Sequence, residues 1–194
     1  VHCFGLMADM AALHKIASQH NIPIVEDAAC ALGATLNGKP PGHLSHAACY
    51  SFHPRKSITT GEGGAVTGMD STYITTIKQL RNHGNDECSF PADFVRPGFN
   101  YRLTECSAAL GSANLLRLAD ITRSRQAQAA HYRHRLEPCG FQFQAVDSNA
   151  THPYQSIACQ LPIGTAADNV TIVKSLRSRD IEATIGTCNI PMTT

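Results

Sequence analysis

The sequence predicts an α/β fold built on a mainly parallel sheet with flanking helices, and three stretches carry that prediction. First, strand, helix and strand patterns follow one another within about thirty residues, the length of a βαβ unit. Second, Ile22, Ile24 and Val25 form a buried-strand pattern that ends in two carboxylates, Glu26 and Asp27. In a parallel sheet, a carboxylate at the C-terminal end of a strand points into the crevice where ligands bind. Third, the stretch from Cys49 to Thr67 places a single lysine, Lys56, between an apolar strand pattern and a turn rich in glycine (Gly61, Gly63, Gly64).

Taken in order, Val1 to Gly5 reads as the end of a strand leading into a turn. Asp9 opens a helix with Met10, Leu13 and Ala17 on one face and His14, Lys15 and Ser18 on the other, stopping near Asn21 and Pro23. Ile22 to Glu26 is the next strand. A short Ala34 to Leu36 segment precedes a turn-rich excursion through Gly38, Pro40, Pro41 and Gly42, and Ala47 to Phe52 returns to the sheet. Gly64 to Thr67 is a short strand, and Asp70 or Ser71 caps a helix with Ile74, Ile77 and Leu80 on one face, ending at His83 and Gly84. Residues 85–100 lack periodicity and are interrupted by Pro91, Pro97 and Gly98, so they read as a long irregular segment, functional or disordered.

Thr104 and Ser107 precede a helix of small residues running from Ala108 to Leu118, which lets another backbone pack closely. A second helix, Ile121 to Leu136, carries Arg123, Arg125, Arg133 and Arg135 and reads as a solvated connector. The domain boundary is placed near Asp120, giving 1–120 as part of a large domain and 121–194 as the connector plus part of a small α+β domain. In the latter, Phe141 to Ala145 and Ser156 to Leu161 read as strands, Ala166 to Arg179 as a helix and Ile181 to Ala183 as a short strand.

The Lys56 loop points to chemistry. Pro54 stiffens it, Ser51 lies just upstream, and the glycines let main chain approach a bound group closely. An amine forms an imine with a carbonyl cofactor only when deprotonated, and burial beside cationic or apolar groups favours the neutral form; Arg55 is adjacent. Alone, the stretch also fits a solvated loop lysine. Asp27 upstream changes the balance, because a strand-end aspartate and a downstream lysine are what a pyridoxal phosphate site requires. The carboxylate keeps the pyridine nitrogen protonated, and the lysine carries the cofactor as a Schiff base.

Four segments, VEDAACALGA, YSFHPRKSITTGEGGAVT, LRNHG and GFNYRLTECSAALG, occur in the order and spacing of a known family. The chain resembles the DegT-type sugar aminotransferases, pyridoxal-phosphate enzymes of fold type I. The resemblance implies that Lys56 is the Schiff-base lysine, Asp27 the partner of the pyridine nitrogen and Ser51 a ligand of the cofactor phosphate. It implies that Asn100 reaches the phosphate of a neighbouring subunit in a homodimer. It also implies an amino-acid donor and a nucleotide-linked keto-sugar acceptor. Cys30 stands where the family usually has glutamine, near the ring hydroxyl, and a thiol is a poorer hydrogen-bond partner than an amide. Relatives that are dehydratases lack the lysine, so Lys56 argues against that chemistry. The rival from another class is a truncated, non-catalytic remnant or regulatory module of the same fold. Compared with the family, segments before Val1 and after Thr194 are missing, so the 194-residue chain alone is expected to be loosely folded and inactive.

Composition excludes other classes. A formal charge of +1, from 16 basic and 15 acidic residues, gives no net field to attract nucleic acid or an anionic membrane. No apolar run approaches the ~20 residues that span a bilayer, and a cytoplasmic location is the expectation. The eight cysteines stand in no CxxC pair and read as small buried hydrophobes in a reducing compartment. His43 with His46 and His131 with His134 lack a cysteine or carboxylate at matching spacing, so no metal site is expected.

Overall fold

The structure, a computed structural model, describes residues 1–186; Cys188 and the chain end at Thr194 lie outside the described residues. Two compact units are present: Val1–Ala130 together with Ala145–Ile157, and His131–Gln144 together with the residues from Ala158 onward.

In the first unit, the expected strand end at Val1 to Gly5 is a 3-10 turn over Cys3–Gly5, entered after the His2 amide donates to the Asp27 carbonyl at 3.0 Å. Helix α1 (Met10–Gln19) starts where the sequence predicts, with the Asp9 carboxylate accepting from the Ala12 amide. Only Met10 of its apolar face is buried; Leu13 and Ile16 are exposed. Strands β1 (Val25–Asp27), β2 (Thr35–Leu36), β3 (Ala47–Ser51) and β4 (Gly64–Thr67) follow. β1 begins three residues later than expected, because Pro23 has no amide proton to pair and the Ile24 amide donates to the His46 imidazole at 3.0 Å.

β1, β3 and β4 form one sheet in that order, β1 parallel to β3 and β3 antiparallel to β4. Register assigns the side chains to two faces, since cross-strand partners share a face and neighbours along a strand alternate. Glu26, Ala28, Ala48 and Tyr50 fall on one face; Val25, Asp27, Cys49, Ser51 and Val66 fall on the other. The first face is the core, where Ala28, Ala31, Ala34 and Ala48 cluster with Met7 and Tyr50 against them. Small side chains there let strand and turn approach closely.

Helix α2 (Ser71–Arg81) is capped by Asp70 and carries Lys78 and Arg81 in its last turn, favourable at the negative end of the helix dipole. The stretch 85–100 differs from expectation. It contains an antiparallel ribbon, β5 (Asn85–Asp86) with β6 (Asp93–Phe94), and a bridge between Asn82 and Asn100. Local polar bonds that leave no hydrophobic period order it: Asp86 accepts from the Cys88 amide and the Ser89 hydroxyl, and the Gly84 amide donates to Gln79.

Helix α3 (Glu105–Leu115) starts at the Thr104 cap, and its buried Gly111 packs on the Thr60 methyl. α4 (Leu118–Leu136) begins three residues before the expected Ile121. Its arginines are less solvated than the charge pattern suggests. Arg125 donates to the carbonyls of Tyr154 and Gln155, while Arg133 donates to Gln144, pairs with Glu137 at 2.8 Å and lies over the Phe143 ring. Past α4, β7 (Gln142–Phe143) leads to β8 (Ala150–Thr151), which returns to the first unit and pairs with β2. In the second unit β7 pairs with β9 (Cys159–Gln160), and α5 (Asn169–Arg177) is capped by Asp168. Ile181 to Ala183 form no strand, because the Ile181 amide donates to Leu176 and the Arg177 guanidinium donates to Ala183, folding the chain onto the end of α5.

The reading of the cysteines as buried is corrected. Cys3, Cys49, Cys88, Cys106, Cys139 and Cys159 are exposed residues, and Cys30 is half-buried. Cys49 shows the reason: its strand is apolar, but its side chain falls on the sheet face away from the alanine core.

Two buried ionisable groups make the first unit acid-sensitive. His152 is 2% exposed, stacked on Tyr154, and burial pushes its pKa down to about 4 from 6.5. The unfolded chain therefore binds a proton that the folded chain refuses, so stability falls as pH drops from 6.5 to about 4. Burial alone would raise the Glu26 carboxyl, but hydrogen bonds from His2, Ser45 and Gly42 outweigh it and hold the group below 4.5. Its contribution is lost at lower pH, as it protonates. Thermal unfolding followed against pH is expected to show both windows. His152→Gln should flatten the upper one and leave the lower.

Candidate active site

The candidate site is assembled at the C-terminal ends of the two parallel strands. Asp27 is the last residue of β1 and Ser51 the last of β3, and register places both on the face opposite the core. Asp27 is exposed, and its Oδ1 accepts the Ala29 amide at 3.0 Å, which turns the chain sharply after the strand. The Ser51 hydroxyl accepts the His53 amide at 3.3 Å.

Beyond those strand ends, two loops meet. Lys56 Nζ donates to Cys30 Sγ at 3.1 Å, and both residues are half-buried. The lysine loop is fixed by its own turn, with the Lys56 amide on the His53 carbonyl at 2.9 Å and the Arg55 amide on His53 Nδ1. Phe52, Ser57 and Ile58 are buried on either side of it. The Cys30 loop is fixed by successive turns, the Ala31 amide on Ala28 and the Ala34 amide on Ala31. Gly5, at φ +101°, lies so close to the Cys30 carbonyl that a Cβ there would stand 2.6 Å from it. Only glycine adopts that conformation at no steric cost.

Of the five residues singled out in the sequence, the structure joins Cys30 and Lys56 directly and puts Asp27 and Ser51 on one sheet face. Asn100 is exposed and paired through its backbone with Asn82. Sequence reasoning missed two others. Gln155 donates from Nε2 to the Arg55 carbonyl at 3.0 Å, across a separation of 100 residues that leaves no local signal. The Ser57 hydroxyl is buried with no hydrogen-bond partner among the described residues, and its position beside Lys56 was the available clue. Among the described residues no group of His, Cys, Asp and Glu is arranged to hold a metal ion, and no helix is long and apolar enough to cross a membrane.

A mixed sheet whose strand ends carry a carboxylate and a hydroxyl, followed by a loop whose lysine meets Cys30, fits the fold type I transferases. Comparison with solved structures agrees. Helicobacter pylori PseC, an aminotransferase involved in the biosynthesis of pseudoaminic acid, superposes over 100% of this chain and 53% of its own, with a TM-score of 0.91 at 25% identity. The chain belongs to the DegT/DnrJ/EryC1/StrS aminotransferase family, whose model matches residues 1–192. GDP-perosamine synthase of Caulobacter vibrioides is 34% identical over 185 residues, 94% of this chain and 50% of that protein. A UDP-4-amino-4,6-dideoxy-N-acetyl-beta-L-altrosamine transaminase of Campylobacter jejuni is 36% identical over 129 residues, 66% of this chain and 34% of that protein. The chain thus spans half or less of the length of these curated relatives.

The Gln155 bond gives a testable consequence. Gln155→Leu removes the side-chain donor that holds the Arg55 carbonyl, so the amides of the lysine loop should exchange with solvent about tenfold faster, the equivalent of one hydrogen bond. Hydrogen exchange read peptide by peptide checks this, with the α3 amides as the unchanged reference.

Proposed function

We propose that the protein containing this chain is a pyridoxal-phosphate-dependent aminotransferase that moves an amino group from an amino acid to a keto-sugar carried on a nucleotide. The observation that carries the reading is Lys56, held on the loop after β3 while Asp27 ends the adjacent parallel strand β1. The donor set fits the cofactor. A half-buried amine is available for its aldehyde, an exposed carboxylate for its ring nitrogen and the Ser51 hydroxyl for its phosphate, and the buried Ser57 hydroxyl is a polar atom that finds no partner among the described residues. The relatives named above support the substrate class, since the two curated ones are named for GDP- and UDP-linked sugars.

When bound, pyridoxal phosphate supplies an electron-withdrawing ring that stabilises negative charge on the carbon bearing the transferred nitrogen. The chain's own residues do the rest. Lys56 would hold the cofactor through its amine and, as a positioned acid–base group, would move the proton at that carbon. Asp27 would keep a proton on the ring nitrogen, Ser51 would donate to the phosphate, and Cys30 would take the place beside the ring hydroxyl. Asn100 completes the phosphate site of the other subunit in a cytoplasmic homodimer. Residues 1–120 form part of the cofactor-binding domain, and 121–194 supply the connector helix and part of the small domain.

Borohydride reduction of the cofactor-loaded protein should fix the cofactor to the peptide carrying Lys56. A protein that binds cofactor without that adduct is a non-catalytic relative, and the proposal fails. Lys56→Ala should lower amino transfer by about 100- to 10,000-fold, the usual worth of a positioned acid–base group, while cofactor still binds. Asp27→Asn keeps the shape and removes the charge, so turnover should fall far more than cofactor affinity. Equal losses in both would reduce Asp27 to a binding role.

A further inference from the structure

The contact between Cys30 and Lys56 unites a soft nucleophile and an amine in one half-buried place. Their separation, 3.1 Å from Nζ to Sγ, is a contact distance at which a bond between the two atoms needs little rearrangement. Neither side chain arrives by chance. The turns after β1 and the close approach of Gly5 hold Cys30, while the His53 turn and the Gln155 bond to the Arg55 carbonyl hold Lys56. Groups held in near-attack geometry react as though at very high concentration, so a slow encounter between free thiol and free amine becomes a local one.

We propose that Cys30 and Lys56 form an oxidant-driven covalent lock, in which a hydroperoxide converts the thiol to a sulfenic acid and the neighbouring amine then closes a sulfur–nitrogen bond. The first step transfers one oxygen: the Cys30 sulfur attacks the peroxide, its O–O bond breaks, and one water (or alcohol) leaves as the sulfur is oxidised. In the second step the Lys56 nitrogen, having given up its extra proton to solvent, attacks that sulfur. The S–O bond breaks, the S–N bond forms, and the hydroxyl departs as water with the second nitrogen proton. No further oxidant is consumed, and the product is a sulfenamide, a recognised reversible end of cysteine oxidation when a nitrogen is near. Reducing thiols reopen it by attacking sulfur and releasing the amine. While the bond stands, Lys56 has no free amine to offer a carbonyl cofactor. Other exposed cysteines make useful contrasts, since among the described residues no hydrogen bond joins Cys49, Cys88, Cys106 or Cys139 to a lysine.

The bond itself depends only on the Cys30–Lys56 contact, whereas protection by cofactor rests on the function proposed above, and the experiment separates the two. The protein is treated with hydrogen peroxide, remaining thiols are alkylated, and the digest is analysed by mass spectrometry. A linked pair of peptides carrying Cys30 and Lys56, lighter by two hydrogens than their sum, is the expected product. It should disappear on treatment with a reducing thiol, in Cys30→Ser and Lys56→Arg, and in protein oxidised while denatured, a control that needs no variant to fold. Oxidation of Cys30 to sulfinic acid without linkage overturns the proposal, as does linkage at the same level in denatured protein. A linked pair that retains the peroxide oxygen overturns the sulfur–nitrogen assignment. Preloading with pyridoxal phosphate should abolish the link; a link that forms equally well in loaded protein refutes the competition between lock and cofactor and leaves the bond standing.

Discussion

The buried Glu26 carboxylate is the constraint on which the first unit depends. Period-two alternation turns Glu26 toward the alanine core and Asp27 toward the open face. A carboxylate at 3% exposure must be hydrogen-bonded on every side or it would protonate. The three bonds it receives come from two separate segments: His2 at 2.7 Å from the N-terminal turn, and Ser45 and the Gly42 amide from the excursion before β3. Sliding β1 by one residue would bury Asp27 without those partners and expose Glu26, so the polar network fixes the register that the short strands leave weakly determined. The charge is satisfied only when the N-terminal turn, the sheet and the 40s loop are all in place, which makes their folding one event.

From that register the candidate site follows. Once Glu26 points inward, Asp27 must point outward at the strand's end, and the next residues turn back under the Asp27 carboxylate through the Ala29 amide. That turn delivers Cys30 to Lys56. The Gly5 approach to the Cys30 carbonyl begins in the same N-terminal turn that supplies His2, so one element supports both the buried charge and the reactive contact.

The legible parts of the sequence were those whose cause is local. Asp9, Asp70 and Thr104 cap their helices because a side-chain oxygen three or fewer residues away satisfies an orphan amide. Asp27, Ser51 and the Lys56 loop were visible because strand ends and glycine turns announce themselves in a short window. What was hidden is either long-range or polar without period. The Cys30–Lys56 contact spans 26 residues, the His2–Glu26 pair spans 24, and the ribbon in 85–94 is ordered by Asp86 rather than by any apolar pattern. The cysteines misled because apolar neighbours along a strand say nothing about which face a side chain occupies, and Cys49 sits opposite Ala48 in that sense.

The return of residues 145–157 to the first unit has a consequence for the order in which the molecule is made. Gln155 closes the lysine loop by holding a carbonyl 100 positions earlier, and β8 completes β2 in the same passage. At roughly 5 to 20 residues per second of translation, Arg55 leaves the ribosome on the order of 5 to 20 seconds before Gln155 does. During that interval the nascent chain carries the lysine loop, the glycine turn and the strand ends without their last brace. A chaperone or a cofactor present at the tunnel exit would therefore meet this loop in a looser form than the finished molecule ever displays.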